Sequence, residues 1–359
     1  MIPSLLEPRD WLVSISQIEG IGRKSLAAIL PHLEEIASHS TSIHYPFPNI
    51  PNLSVKRIEK MKQLTAVQVQ EIKQKLLEAR IHTITILDST YPPLLREIHD
   101  PPFVLYARGK LELLTKPGIA VVGTRMPTPY GRQVAFRLAE EVDRAGFAVL
   151  SGLAKGVDAE AHKGSLAVNG HTVALLGSGI NVIYPRQNEE LYRKIQERGL
   201  ILSEYPPGYP SHPLHFPARN RLISGLSLGV LVVEAAVKSG SAITVRCALE
   251  QGKDVLAVPG SIFSPLSQGT NRLIQEGAKL VTSIADILEE FPTQQAIQDE
   301  KMSVKQIQIL DILENTKLTV DEIVIRSNLP IQEVLSELLS LQLGGKVFQL
   351  QGSIFTRKI

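Results

Sequence analysis

The chain has 359 residues, 43% of them hydrophobic, with 38 basic and 36 acidic side chains and a net charge of +2. That length calls for two or three domains with packed cores, and the near-balanced charge excludes a histone-like polycation, so any nucleic-acid site must arise from local clustering of cations. No window approaches 18 consecutive apolar residues, and the N-terminal MIPSLLEPRD lacks a basic region followed by a long apolar one, so neither a membrane span nor a signal peptide is expected. The single cysteine, Cys247, excludes an internal disulfide and a cysteine-based zinc site. It fits a reducing cytoplasm and, in a predicted helix, reads as a small core residue.

Residues 1–80 read as a helical domain with little strand character. Within it, Ile18-Glu19-Gly20-Ile21-Gly22-Arg23-Lys24-Ser25 leads into the apolar LAAIL. Two glycines one residue apart, then a basic pair opening a helix, resemble a helix-hairpin-helix, whose exposed backbone N–H groups attract phosphate. A plain helix–turn–helix packing unit is the alternative. Residues 81–115 read as a connector, because Pro92-Pro93 and Pro101-Pro102 disfavour helix there. Between 116 and 290, short apolar runs at 119–122, 147–150, 172–176, 200–202, 230–233 and 255–258 alternate with amphipathic stretches. Such uniformly apolar, Val/Ile/Leu-rich runs predict a parallel sheet with helices on both faces. The core domain is therefore drawn at 81–291. A polar linker is expected at 292–303, and 304–359 reads as a small helical end closed by a hairpin-like segment.

Five Gly-rich turns each follow a predicted strand. The first is Gly123-Thr124-Arg125, ahead of a helix starting near Thr128-Pro129. The next are Ser151-Gly152-Leu153-Ala154-Lys155-Gly156, Gly177-Ser178-Gly179 continuing to Tyr184-Pro185, Lys238-Ser239-Gly240-Ser241 and Pro259-Gly260-Ser261. In an open parallel sheet such turns share one edge, where ligands bind. The glycines are therefore expected to converge on one groove with Arg125, Lys155, His162, Arg186, Arg219, Arg221 and Ser239. Five such turns exceed what one mononucleotide needs and suit a row of phosphates. The stretch 215–227, HFPARNRLISGLS, adds an aromatic (Phe216), two arginines (Arg219, Arg221) and an amide (Asn220). Cations for phosphates and a flat ring for unpaired bases are what a single strand requires. The competing reading makes these arginines structural, capping carbonyls or pairing with Glu204 and Glu234.

Signals for catalysis and cofactors are weak. No GxxxxGK[ST] occurs, and Gly177-Ser178-Gly179 lacks the third glycine of a dinucleotide fingerprint, so no nucleotide cofactor is expected. Asp158 and His162 share a helix face, but no nucleophile or second ligand pair accompanies them, which favours a structural pair. Nothing in the spacing makes Glu204 and Glu234 a catalytic pair.

Taken together, AVVGTRMPTPYG, SGLAKGVDAEAH, LGSGINVIYP, SEYPPG, HFPARNRLISGLS, VVEAAVKSGSAIT, ALEQGKDVLAVPG and GTNRLIQEGAKLV, in that order, resemble the DprA/Smf family of DNA-processing proteins. The resemblance implies an α/β fold: an extended Rossmann-like parallel-sheet core, an N-terminal helical domain of sterile-alpha-motif or helix-hairpin-helix type, and a C-terminal winged helix. It implies a cytoplasmic, non-catalytic protein that binds single-stranded DNA, dimerises, meets single-strand-binding protein and helps load a RecA-type recombinase in natural transformation. No membrane partner, metal or cofactor is implied. Carried onto this chain, the family's DNA-binding positions fall on Arg125, on Phe216, Arg219, Asn220 and Arg221, and on the turn residues Ser151, Gly152, Gly177, Gly179, Ser239 and Gly240. Gly123 and Lys155 join them from the turn pattern. Several relatives carry a lysine just ahead of the HFP motif; here that stretch is Pro210-Ser211-His212-Pro213-Leu214, leaving His212 or His215 for that role. The terminal segment resembles the family's winged helix, but residues 330–342 hold no cation, which favours a protein–protein or accessory role. The alternative is a Rossmann-like enzyme that hydrolyses nucleoside monophosphates; its PGGxGTxxE signature is missing from the Ser239-Gly240-Ser241 turn.

Overall fold

The computed structural model describes residues 6–39, 50–51, 53–292, 303–314, 316–343, 346–350 and 353–357. The linker expected at 292–303 lies, apart from its two end residues, outside them. Contacts divide the chain into two units, Met1–Phe291 and Pro292–Ile359.

The first unit opens with α1 (Pro8–Ser16), α2 (Arg23–Ile29), α3 (Leu33–His39), α4 (Val55–Lys62) and α5 (Ala66–Glu78). Local signals set their starts. Pro8 takes the first turn of α1, where no N–H is needed, and Thr65 with Gln68 forms a reciprocal capping box on α5. Then come β1 (His82–Thr85), α6 (Pro93–Arg96), β2 (Val104–Gly109), β3 (Gly118–Val122), α7 (Pro129–Arg144), β4 (Ala148–Ser151), α8 (Val157–Ala167), β5 (Thr172–Leu176), α9 (Glu189–Arg198), β6 (Leu200–Ser203), α10 (His215–Gly225), β7 (Gly229–Val232), α11 (Ser241–Glu250), β8 (Asp254–Ala257), α12 (Gln268–Gln275), β9 (Lys279–Leu280) and α13 (Ile284–Glu290).

The strands form one nine-stranded sheet in the order β1-β2-β6-β5-β4-β3-β7-β8-β9. From β6 to β9 every pairing is parallel, as the apolar runs predict. Residues 81–115 are not merely a connector. They supply β1 and β2, which extend the sheet by antiparallel pairing of β1 to β2 and of β2 to β6. The Pro-Pro pairs fall between these two strands, and Pro93 starts the single turn of α6 from the position where proline is tolerated.

Alternate residues of β3 enter opposite cores: Ala120 and Val122 on one face, Ile119 and Val121 on the other. The second face is completed over β5, β6 and β2 by the N-terminal helices. Trp11, Leu12 and Ile15 of α1 share one apolar cluster with Tyr106, Leu176 and Ile201. Ser16 and Tyr106 are joined through their hydroxyls at 2.9 Å, and Arg9 donates to the Thr83 carbonyl at 2.8 Å. The helical block is thus part of the sheet's own cover.

The second unit contains α14 (Val304–Ile312), β10 (Lys317–Thr319), α15 (Val320–Ser327), α16 (Ile331–Leu343), β11 (Val347–Leu350) and β12 (Ile354–Arg357). Its antiparallel sheet runs β10-β12-β11, and Ile309, Leu313, Ile323, Val334 and Leu338 fill a core of its own. Three helices with a β11–β12 wing make it a winged helix.

Candidate nucleic-acid interface

The chain leaves β3 for β4, β5 and β6 on one side, then returns to lay β7 on the other side of β3. The β3/β7 junction is therefore the topological switch point, where open α/β sheets bind ligands. Here that place is filled from within. Glu234, 2% exposed, follows β7 and turns its carboxylate onto the start of α7. Thr128 donates its backbone N–H to Oε2 at 2.9 Å and its hydroxyl to Oε1 at 2.6 Å. A Cβ at Gly131 would collide with this carboxylate. An acidic side chain thus holds the helix N-terminus that a bound phosphate would occupy in a dinucleotide fold.

The open cleft lies beside the switch point, over the ends of β3, β4 and β5. It is a narrow space of about 50 Å³ lined by Arg125, Gly152, Ala154, Lys155, Tyr184, Pro185, Phe216 and Arg219. Arg125 and Lys155 are exposed and make no hydrogen bond or ion pair among the described residues. The Arg125 guanidinium sits 6.0 Å from the Phe216 ring centroid, within cation–π range. Phe216 stacks on Tyr184 at 5.2 Å with the planes 28° apart. Two free cations therefore border a shelf of two aromatic rings.

Beneath the shelf the groups are structural. Arg219 is 5% exposed and donates to the carbonyls of Gly152, at 2.8 Å, and Leu175. Burial pushes its guanidinium down to about 10, still protonated at neutral pH, with Asp158 pulling the other way. Asn220 accepts from Arg219 Nε at 3.3 Å. Gly152 has to be glycine, since a Cβ there would overlap the Arg219 guanidinium. Asp158, buried at the first turn of α8, accepts from the backbone N–H of Gly152 at 3.1 Å and of Ala154 at 3.4 Å, which shapes the turn carrying Lys155. Burial raises its carboxyl, opposed by Arg219 and these N–H groups. Ser151 donates to the Val121 carbonyl at 2.6 Å, tying β4 to β3. Gly123 and Gly177 permit close packing: a Cβ would lie 2.7 Å from Val157 at the first and 2.7 Å from the Phe216 ring at the second. Gly179 donates its N–H to the Tyr209 carbonyl at 2.8 Å.

The expected convergence on a single groove is partial. His162 is fully buried and bonded to the Thr172 hydroxyl at 2.7 Å, not to Asp158, so it faces the core and not the cleft. Ser239 borders a separate cavity of about 300 Å³ past the end of β7, and the Ser239 and Ser241 hydroxyls pair at 2.6 Å. Gly240 caps α11 there with an ordinary φ of −63°. Arg221 also points elsewhere. One of its terminal nitrogens donates to both carboxylate oxygens of Glu204 at 2.8 Å, both side chains being 12% exposed. Asp100 and Arg23 complete that cluster. For Arg219 and Arg221 the structure thus bears the competing reading in part: carbonyl capping for one, pairing with Glu204 for the other. Arg186 is exposed just beyond Pro185 and does not line the cleft. Tyr184 is a cleft residue that does not stand among the residues expected from the sequence. Its place at the end of the third Gly-rich turn was the available signal.

The family model "DNA recombination-mediator protein A" matches residues 82–292, and the model "DprA winged helix domain" matches 293–353. Among curated proteins, DNA processing protein DprA of Bacillus subtilis is 48% identical over 216 residues, covering 60% of this chain and 73% of the relative. Protein Smf of Escherichia coli is 40% identical over 291 residues, covering 77% and 78%. The crystal structure of DprA from Streptococcus pneumoniae superposes with a TM-score of 0.68 at 36% identity, covering 79% of this chain and 99% of that one. DprA from Helicobacter pylori, whose structure is described as showing its single-stranded DNA binding mode, gives a TM-score of 0.55 at 33% identity over 61% of this chain and 97% of that one. With its Rossmann-like sheet, its winged helix and matches of this extent, the chain belongs to the DprA/Smf family.

Proposed function

We propose that the cleft grips a single DNA strand, with bases stacking on the Phe216–Tyr184 shelf and phosphates held by Arg125 and Lys155. The observation that carries this is the pairing of two exposed cations, without an ion pair among the described residues, with a shelf made of the exposed Tyr184 and the half-buried Phe216, the combination that single-strand grooves use. Arg219, Asn220, Gly152 and Gly177 build the shelf and its floor. The Helicobacter pylori relative, described as a single-stranded DNA binder, supports the same reading. It extends to a non-catalytic role in the cytoplasm: a homodimer that shields incoming single strands, meets single-strand-binding protein and helps load a RecA-type recombinase in natural transformation. Family membership supports these finer roles. The test is fluorescence anisotropy of labelled oligo-dT and of a matched duplex at two salt concentrations, without nucleotide. Tighter, salt-sensitive binding of the single strand is expected. Binding that favours the duplex, or that ignores salt, would end this reading.

A further inference from the structure

A second, larger groove of about 1160 Å³ opens where the N-terminal helices meet the sheet unit. One wall is the turn between α1 and α2 with its Gly20-Ile21-Gly22-Arg23-Lys24 sequence, joined by Arg57 of α4; the other is the segment from Pro206 to His215. We propose that this groove is a second holding site for the same single strand, taking the nucleotides next to those in the Arg125 cleft. The inference rests on the single-strand reading of that cleft and extends it.

Three features point to a polynucleotide. Lys24 and Arg57, from different helices, are both exposed, and their side chains make no hydrogen bond or ion pair among the described residues, unlike that of Arg23, which is held by Asp100 and Glu204. Two cations without a carboxylate partner among the described residues on one groove offer countercharge to a phosphate. The acid on this wall, Glu19, is already paired with Lys60 at 3.4 Å. The opposite wall is a ring cluster. Tyr205 stacks on Tyr209 at 5.1 Å and on His215 at 4.5 Å, and His212 lies 5.3 Å from His215. Tyr209 is 41% exposed, so one ring of the cluster offers a face to the groove. The glycine turn leaves room for close approach. A Cβ at Gly20 or Gly22 would meet nothing within 4 Å, and Gly20 has a φ of +88°, which favours glycine.

The two grooves are neighbours through α10 and the turn after β5. His215 lines the second groove and the next residue, Phe216, lines the first. Gly177 packs on Phe216, while Gly179 bonds to Tyr209. Shelf, turn and ring cluster therefore follow one another along a single edge, and a strand leaving Phe216 meets the second set of rings next.

The experiment compares oligo-dT of about six and about twenty nucleotides on the full chain, lengths that bracket one groove and more than one. Variants are Lys24→Gln/Arg57→Gln, Tyr209→Ala and Arg125→Ala, all at exposed side chains. The double variant is expected to weaken the long oligonucleotide and to flatten its salt slope by about 1.4, at ~0.7 for each phosphate no longer neutralised, while leaving the short one unchanged. Tyr209→Ala is expected to weaken the long oligonucleotide about tenfold. If both variants bind the long oligonucleotide as the unaltered chain does while Arg125→Ala weakens both lengths, the second groove is refuted and the cleft stands. If Arg125→Ala binds normally while the double variant loses the long oligonucleotide, the cleft reading fails and the second groove is the site. Equal losses of short and long oligonucleotides in the double variant would overturn the proposal of a separate holding site.

Discussion

Arg125 and Arg221 carry the same charge, yet their surroundings assign them different work. Arg125 is exposed beside Phe216 and forms no ion pair among the described residues, so on the proposed reading its truncation removes a phosphate contact and leaves the fold in place. Arg125→Ala should weaken single-strand binding across sequences and lower the salt slope by about 0.7 for each phosphate it neutralises; a slope unchanged in a salt titration would remove Arg125 from the interface. Phe216→Ala should cost roughly 1–3 kcal/mol of binding if the ring stacks a base, with Phe216→Tyr nearly neutral, as read by anisotropy on variants of unaltered fold. Arg221 is the contrasting case. Its removal as Arg221→Met strands the largely enclosed Glu204 carboxylate, which desolvation already pushes toward the protonated form. About 3–5 kcal/mol of stability should be lost in denaturant unfolding, largely recovered in Arg221→Met/Glu204→Leu, while the folded protein keeps its affinity for oligo-dT. Arg219 and Arg221 stand two positions apart, and nothing in residue type separates them from a phosphate-binding pair. Burial and the position of Glu204 separate them.

Among the elements, α8 shows how a catalytic-looking pair becomes a frame. Asp158 closes the turn that presents Lys155, and His162, one turn on, is bonded to Thr172 of β5 in full burial. Burial drives the His162 imidazole down to about 3, with the Arg219 charge adding to it. Between its ordinary value near 6.5 and about 3 the unfolded chain binds a proton that the folded chain refuses, so this residue's share of stability is complete above about pH 6.5 and is lost as pH falls toward 3. His162→Gln should therefore flatten the decline in unfolding free energy between those limits, measured by urea titration at several pH values. An identical acid profile would mean that His162 is not buried neutral. The helix spacing that puts Asp158 and His162 on one face was legible from the sequence; that each turns to a different partner was not, because Thr172 and the Gly152 turn come from other elements.

At the scale of the molecule, the N-terminal helices and the sheet share one core. Leu12 and Ile15 meet Tyr106 and Leu176 in the same cluster, and Arg9 reaches both the Thr83 carbonyl and Asp88. Removing residues 1–80 strips the cover from the β2, β5 and β6 face. The truncated chain should unfold at lower denaturant and bind a hydrophobic dye, because Val104, Tyr106, Ala174, Leu176 and Ile201 on that face would be uncovered. An unfolding midpoint equal to that of the full chain would show that the helical block covers nothing essential. The strand additions β1 and β2 belong to this scale too. They pair antiparallel at an edge whose pattern in 81–115 is broken by prolines, and only the neighbouring β6 turns those residues into strands.

By itself, the sequence determined the periodic and local features: the six parallel core strands as uninterrupted apolar runs, the glycine turns that follow them, the winged-helix end and the family motifs. Apolar period, backbone freedom at glycine and proline's missing donor act within a few residues and are written in the chain. Tertiary structure alone decided that Glu234 seals the switch point, that Arg219 is buried and Arg221 paired with Glu204 while Arg125 and Lys155 form no ion pair among the described residues, that Tyr184 joins Phe216, and that Ser239 faces another cavity. Those outcomes depend on which groups from distant strands reach a polar side chain first. A charge already matched inside the protein holds the fold together, and a charge left unmatched at the surface is free to hold a ligand.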